Sequence, residues 1–105
     1  MLRRVVITGL GAVSPNGIGL KTFWENTCKG ISGIDRIASF DASDLICQIA
    51  GEVSQFDPSL YYSKADLKKL PRSVPMAVAA TQEALVNAGI DLASFSEEEF
   101  EGLGV

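Results

Sequence analysis

The sequence predicts an α/β layer domain, and three observations carry that prediction. The chain opens on a β-branched run, Val5-Val6-Ile7, that breaks on Gly9 and Gly11. An amphipathic helical pattern and then a second apolar run, Ile46–Val53, follow it. A long Ala-rich helical pattern comes next and stops at Gly89. Strand, helix, strand, helix is the order of an α/β fold. At 105 residues the chain is long enough for one domain, and at 47% hydrophobic it can bury a core.

Residues 3–8 read as the first strand, buried on both faces because three β-branched residues follow one another without alternation. Gly9 and Gly11 read as a tight strand-to-loop turn. They also raise the dinucleotide fingerprint, G-x-G-x-x-G after a strand. Its third position here is Ser14, Pro15 follows at once, and the acidic residue near the required spacing, Asp35, lies in a turn-like Gly30–Asp35 stretch. Residues 20–29 form a helix: Leu20, Phe23, Trp24, Thr27 and Cys28 make one stripe, and Gly30 supplies the stop. Cys28 on that stripe reads as a core thiol rather than a nucleophile.

Residues 31–45 are rich in Gly, Ser and Asp and read as loop. Ile46–Val53 reads as the second strand, with Cys47 packed inside it and Gly51 marking a bulge or a close approach. A turn around Asp57-Pro58 leads to a short helix, residues 63–70, with Ser63 as N-cap and Asp66 three residues on. Pro71 ends or kinks it. Ser73 caps the long helix, Pro75 sits in its first turn, and its apolar face is Val74, Ala77, Val78, Thr81, Ala84, Leu85 and Ala88. Glu97-Glu98-Glu99 and Glu101 read as a solvated helical turn. Gly102–Val105 look like the opening of another buried strand, so the domain is expected to be incomplete at Val105 and to leave apolar surface exposed.

A net charge of −4 argues against nucleic acid or an anionic membrane as partner. No apolar stretch reaches the length of a membrane span, and the N-terminus lacks a signal-type apolar region, so a cytoplasmic protein is expected. There is no histidine. A Ser-His or Cys-His pair cannot be built from these residues, nor can a His-containing metal site, and two cysteines do not make a structural zinc site. Lys64, Lys68, Lys69 and Arg72 locally reverse the sign of the chain. Lys64, Lys68 and Arg72 share a face if the helix continues past Pro71. The cluster reads either as a solvated helix face or as a docking site for an acidic partner.

RRVVITGLGAVSPNGIG, a helix carrying Phe23-Trp24, then Gly30-Ile31-Ser32-Gly33-Ile34, Phe40-Asp41 and Ala50-Gly51 together resemble the N-terminus of the β-ketoacyl-acyl-carrier-protein synthases. The synthase II type is the nearest, and polyketide ketosynthase domains share the pattern. The resemblance spans the whole chain almost without gaps. It implies the N-terminal portion of a thiolase-like α-β-α-β-α layered fold, residues 1–105 being a truncated part of that N-terminal domain, within a protein that forms a homodimer. The implied reaction is a decarboxylating Claisen condensation on thioesters of acyl carrier protein. A cysteine nucleophile and two histidines perform it, and the resemblance places all three beyond Val105.

The resemblance therefore implies no catalytic residue within these 105, no resident cofactor (the phosphopantetheine arrives with the substrate) and no activity of this chain alone. It implies docking of acyl carrier protein on basic residues of the short helix. Lys68 and Lys69 fall on matching positions. Lys64 neighbours Ala65, which departs from a basic position, and Arg72 completes the cluster. Pro71 and Pro75 depart from the family's more continuous helix start. The alternatives are a non-catalytic carrier-protein-binding remnant, a partner of the chain-length-factor kind, and a nucleotide-binding α/β domain.

Overall fold

A computed structural model describes residues 2–104. Val13–Ser14 (β1) and Gly17–Ile18 (β2) form a tight antiparallel hairpin across Pro15-Asn16, pairing Val13 with Ile18 and Ser14 with Gly17. Leu20–Cys28 (α1) follows directly. Ile34–Arg36 (β3) pairs antiparallel with Ile49–Gly51 (β4), with Asp35 opposite Ala50. A 3₁₀ turn at Pro58–Leu60 leads into Lys64–Leu67 (α2) and Ser73–Ala88 (α3). A second 3₁₀ turn, Leu92–Ser94, precedes Glu97–Glu101 (α4).

The helices lie near where the sequence pattern puts them, for local reasons, except that α2 ends at Leu67, short of the predicted 63–70. Gly30 and Gly89 adopt φ of 70° and 71°, and each ends its helix with paired backbone bonds to the last turn, such as Ile31 N–H to the Asn26 carbonyl at 2.9 Å and Ile90 N–H to that of Leu85 at 2.9 Å. This is the Schellman geometry that glycine favours. Ser63 caps α2, as read from the sequence, through a 3.3 Å bond from Asp66 N–H. α4 starts with a reciprocal box in which Ser96 and Glu99 each accept the other's backbone N–H, and its glutamates are exposed, as expected. Ser73 is already helical rather than the cap; Arg72 holds that position with no side-chain cap bond.

Several sequence expectations need correction. Residues 3–8 carry no ladder among the described residues, and Val5, Val6 and Ile7 are 94%, 65% and 82% exposed. A strand buried on both faces needs a neighbour on each edge and a layer on each side. The two hairpins pair only within themselves and offer it neither. The second strand is shorter than Ile46–Val53, and its partner β3 lies in the stretch read as loop. Cys28 and Cys47 are both exposed, so neither is a core thiol. Gly51 is a close approach, since an added Cβ would stand 2.8 Å from Pro15 Cγ. Residues 102–104 are exposed and irregular, and Val105 lies outside the described residues.

Burial is sparse. Among the described residues Ala42, Phe56 and Ala79 are the buried apolar ones, with Pro75 fully enclosed. The radius of gyration is 17.5 Å, against about 13 Å for a compact domain of this length. The long helix is covered mainly along one side. Ala77 and Thr81, read as core, are exposed, while the Ala80-Ala84-Ala88 row faces the chain's own N-terminal segment.

Candidate functional site

The best-organised region is where residues 9–20 cross α3. Gly9 and Gly11 do not have positive φ and do not make a tight turn. Their role is close approach: a Cβ on Gly9 would collide with the Ala84 carbonyl, and one on Gly11 with the Ala80 carbonyl. Ala80, Ala84 and Ala88 recur every four residues, so they stack on one face and let the backbone lie on the helix. The phosphate-cradling geometry of a dinucleotide loop is absent. The glycine backbone is covered by α3, and the next helix starts at Leu20 rather than at the glycines.

Polar bonds lock the crossing. Glu83 accepts the Ala12 N–H through Oε2 at 2.9 Å and the Leu20 N–H through Oε1 at 2.7 Å. Asn87 Oδ1 accepts the Leu10 N–H at 3.1 Å. α1 begins after Gly19 with no side-chain cap from its own sequence. Glu83, from another helix, fills that role and sets a carboxylate at the positive end of the α1 dipole. Sequence reasoning missed Glu83. The signal was there: it is the one charged residue in Ser73–Ala88.

Beside this crossing, the β1–β2 turn is knitted to α1. Asn26 Nδ2 donates to the Asn16 carbonyl at 2.5 Å, and Ser14 Oγ donates to Asn16 Oδ1 at 2.7 Å. A polar groove of about 430 Å³ opens here, lined by Ser14, Asn16, Asn26, Ser32, Glu52 and Gln55 among others. It holds hydrogen-bonding groups but no paired acid and base or nucleophile, so it offers binding rather than covalent chemistry.

The basic cluster divides in two. Lys64 opens α2 and Lys68 caps it, one turn apart, with Lys69 next; all three are exposed. α2 ends before Pro71, so Arg72 does not share their helical face, contrary to the continuous-helix expectation. Arg72 Nη2 instead donates to the Val53 carbonyl at 2.7 Å, at the end of β4. The neighbouring Glu52 carboxylate accepts the Ala38 N–H at 2.8 Å, the Ser39 N–H at 3.2 Å and the Ser39 hydroxyl. The Ser39 hydroxyl above all, then the Ala38 backbone bond and, to a smaller degree, the Arg72 charge hold Glu52 below the usual carboxylate range. Among the described residues no group of three His, Cys, Asp or Glu is placed to hold a metal ion.

An extended glycine-bearing segment laid on a small-residue helix, with two short antiparallel hairpins alongside, is a mixed α/β arrangement. The chain belongs to the β-ketoacyl synthase family: the model of the β-ketoacyl synthase N-terminal domain matches residues 2–105. The chain is 37% identical over 97 residues to the 3-oxoacyl-(acyl-carrier-protein) synthase 2 of Synechocystis sp., covering 92% of this chain and 23% of that one. It is 39% identical over 90 residues to the enzyme of the same name from Staphylococcus aureus, covering 86% and 22%. The solved structure of the ishigamide ketosynthase/chain length factor superposes with a TM-score of 0.77 at 33% identity, over 90% of this chain and 24% of that one. The chain thus spans about a quarter of the length of the relatives it matches.

Proposed function

We propose that the polypeptide carrying these residues is a condensing enzyme of the 3-oxoacyl-acyl-carrier-protein synthase kind, acting in the cytoplasm as a homodimer. It joins an acyl thioester to malonyl-acyl-carrier protein by decarboxylating Claisen condensation, with no resident cofactor. Residues 1–105 are part of its N-terminal domain. They supply scaffold and a carrier-protein docking surface, while the nucleophilic cysteine and two histidines come from elsewhere in the polypeptide, so this chain alone is inactive. The observation that carries this reading is the match to two synthases over at least 90 residues at 37% and 39% identity. The absence of histidine from these 105 residues supports the division of labour.

Lys68 and Lys69, with Lys64 one turn back, form the docking surface. They are exposed cations on a short helix in a chain of net charge −4. An acidic carrier protein is steered to such a patch by complementary potential. A second reading, a chain-length-factor-like partner without the nucleophile, is favoured by the ketosynthase/chain length factor likeness. The test is titration of the complete protein with holo-acyl carrier protein. Lys68→Glu and Lys69→Glu are each expected to weaken binding about tenfold, since a like charge then faces the acidic partner. Unchanged binding in both variants removes the docking assignment. Condensing activity of the unmodified complete protein separates the enzyme from the partner reading.

A further inference from the structure

The α2 docking helix has little of its own to hold it in place. It is a single turn, Lys64–Leu67, too short to be stable by itself. Its packing is against the 3₁₀ turn at Pro58–Leu60. Its cap bonds, Ser63 with Asp66, stay within the helix. Between Tyr61 and Ser73, one side-chain hydrogen bond among the described residues reaches another part of the fold: Arg72 to the Val53 carbonyl. That bond ties the α2–α3 elbow to the end of β4. Glu52, one residue before Val53, in turn fastens Ala38 and Ser39 across the hairpin.

We infer that Arg72 is a positioning residue: through the Val53 carbonyl it clamps the elbow onto the segment that leaves the β3–β4 hairpin and so fixes how Lys68 and Lys69 are presented to the carrier protein. This inference rests on the docking reading above and assigns Arg72 a different task from its three basic neighbours. Arginine suits it because its planar fork is pre-organised and always charged, so little rotamer freedom is lost in bonding the Val53 carbonyl. Losing the clamp leaves the docking lysines intact but widens their range of positions. Binding then includes the cost of ordering them again, while the ion pairs made in the complex stay the same.

That distinction gives a test in the complete protein, by titrating holo-acyl carrier protein at several salt concentrations. Arg72→Gln is expected to weaken binding about fivefold with a salt dependence parallel to that of the unmodified protein. Lys68→Gln and Lys69→Gln weaken binding and flatten the salt dependence, because each removes a screened ion pair. Arg72→Lys recovers part of the loss, since an ammonium can still donate to the Val53 carbonyl. The decisive comparison is the salt dependence of Arg72→Gln against that of Lys68→Gln and Lys69→Gln. A clamp predicts weaker binding for Arg72→Gln with the parent's salt dependence. An Arg72 that pairs directly with the acidic partner predicts a flattened salt dependence for Arg72→Gln, like that of the lysine variants, and that result overturns the inference, as does unchanged binding in Arg72→Gln. If Lys68→Gln and Lys69→Gln leave binding unchanged, the docking reading fails, and the clamp with it. If they weaken it and flatten its salt dependence while Arg72→Gln does the same or nothing, the clamp alone fails.

Discussion

Leu2–Thr8 and Gly9–Leu20 are consecutive stretches of one chain, and they are held in opposite ways. The first is the more hydrophobic, yet Leu2, Val5 and Ile7 are 96%, 94% and 82% exposed. The second is interrupted by Gly, Ser, Pro and Asn, yet it is the best-anchored segment of the molecule, fixed by Glu83, Asn87 and the contact of two glycines with the Ala80–Ala88 face. Apolar character creates a demand for burial but does not supply a partner. Close approach and satisfied backbone N–H groups are what position the segment here. The elements that pack locally find their partners among the described residues, and the apolar N-terminal run does not.

The contrast breaks most sharply at Gly11. Gly11→Ala puts a methyl into the Ala80 carbonyl, a backbone atom that cannot swing aside. Overpacking of this sort costs about 1–3 kcal/mol, and this contact belongs at the upper end. Amide hydrogen exchange reads it directly. Ala12 and Leu20 are expected to be protected in the parent chain, with Val5–Ile7 exchanging freely, and Gly11→Ala should lower that protection about tenfold or more. If Ala12 and Leu20 exchange as fast as Val5–Ile7 in the parent, the two segments do not differ and the comparison falls.

The next effect is at Glu83. Glu83→Ala leaves two N–H groups without an acceptor and removes the carboxylate that sits at the start of α1. The expected loss is about 2 kcal/mol, from charge-assisted hydrogen bonds in a half-buried site. Glu83→Gln, which keeps an acceptor oxygen, should lose roughly half as much. Exchange at Leu20 and the helical circular dichroism of α1 both report it. Equal effects from the two variants would mean that the side chain packs rather than caps.

How much of this was legible in the sequence follows the range of each interaction. α1 and α3 stood out because a helix is signalled within its own length, by the Leu20–Phe23–Trp24 stripe, by Gly30 and Gly89, and by Ser63 for α2. β3 was missed because Ile34-Asp35-Arg36 has little apolar pattern of its own and becomes a strand only by pairing with Ile49–Gly51. The Glu83 clamp joins residues 63 and 71 positions apart, and no local rule reaches that far. The basic cluster was visible as charge. That Arg72 turns to Val53 while the lysines face solvent was not, because Pro71 divides the helix that would have aligned them.

The smallest expected effect makes the sharpest control. Val5→Ser replaces an exposed β-branched residue in the unpaired segment, and in this chain it should shift stability by no more than about 0.5 kcal/mol. Chemical denaturation of the two forms, compared at matched concentration, measures it. The same substitution in the complete protein should cost several times more, because burying a valine side chain is worth about 1.5–3 kcal/mol and the additional strands of a thiolase-like sheet would bury it. A small effect in both contexts would mean that the β-branched run stays exposed throughout, and the contrast between Leu2–Thr8 and Gly9–Leu20 would then belong to the whole protein. A large effect in both would mean that Val5 finds a partner within these 105 residues and that the first segment is anchored after all.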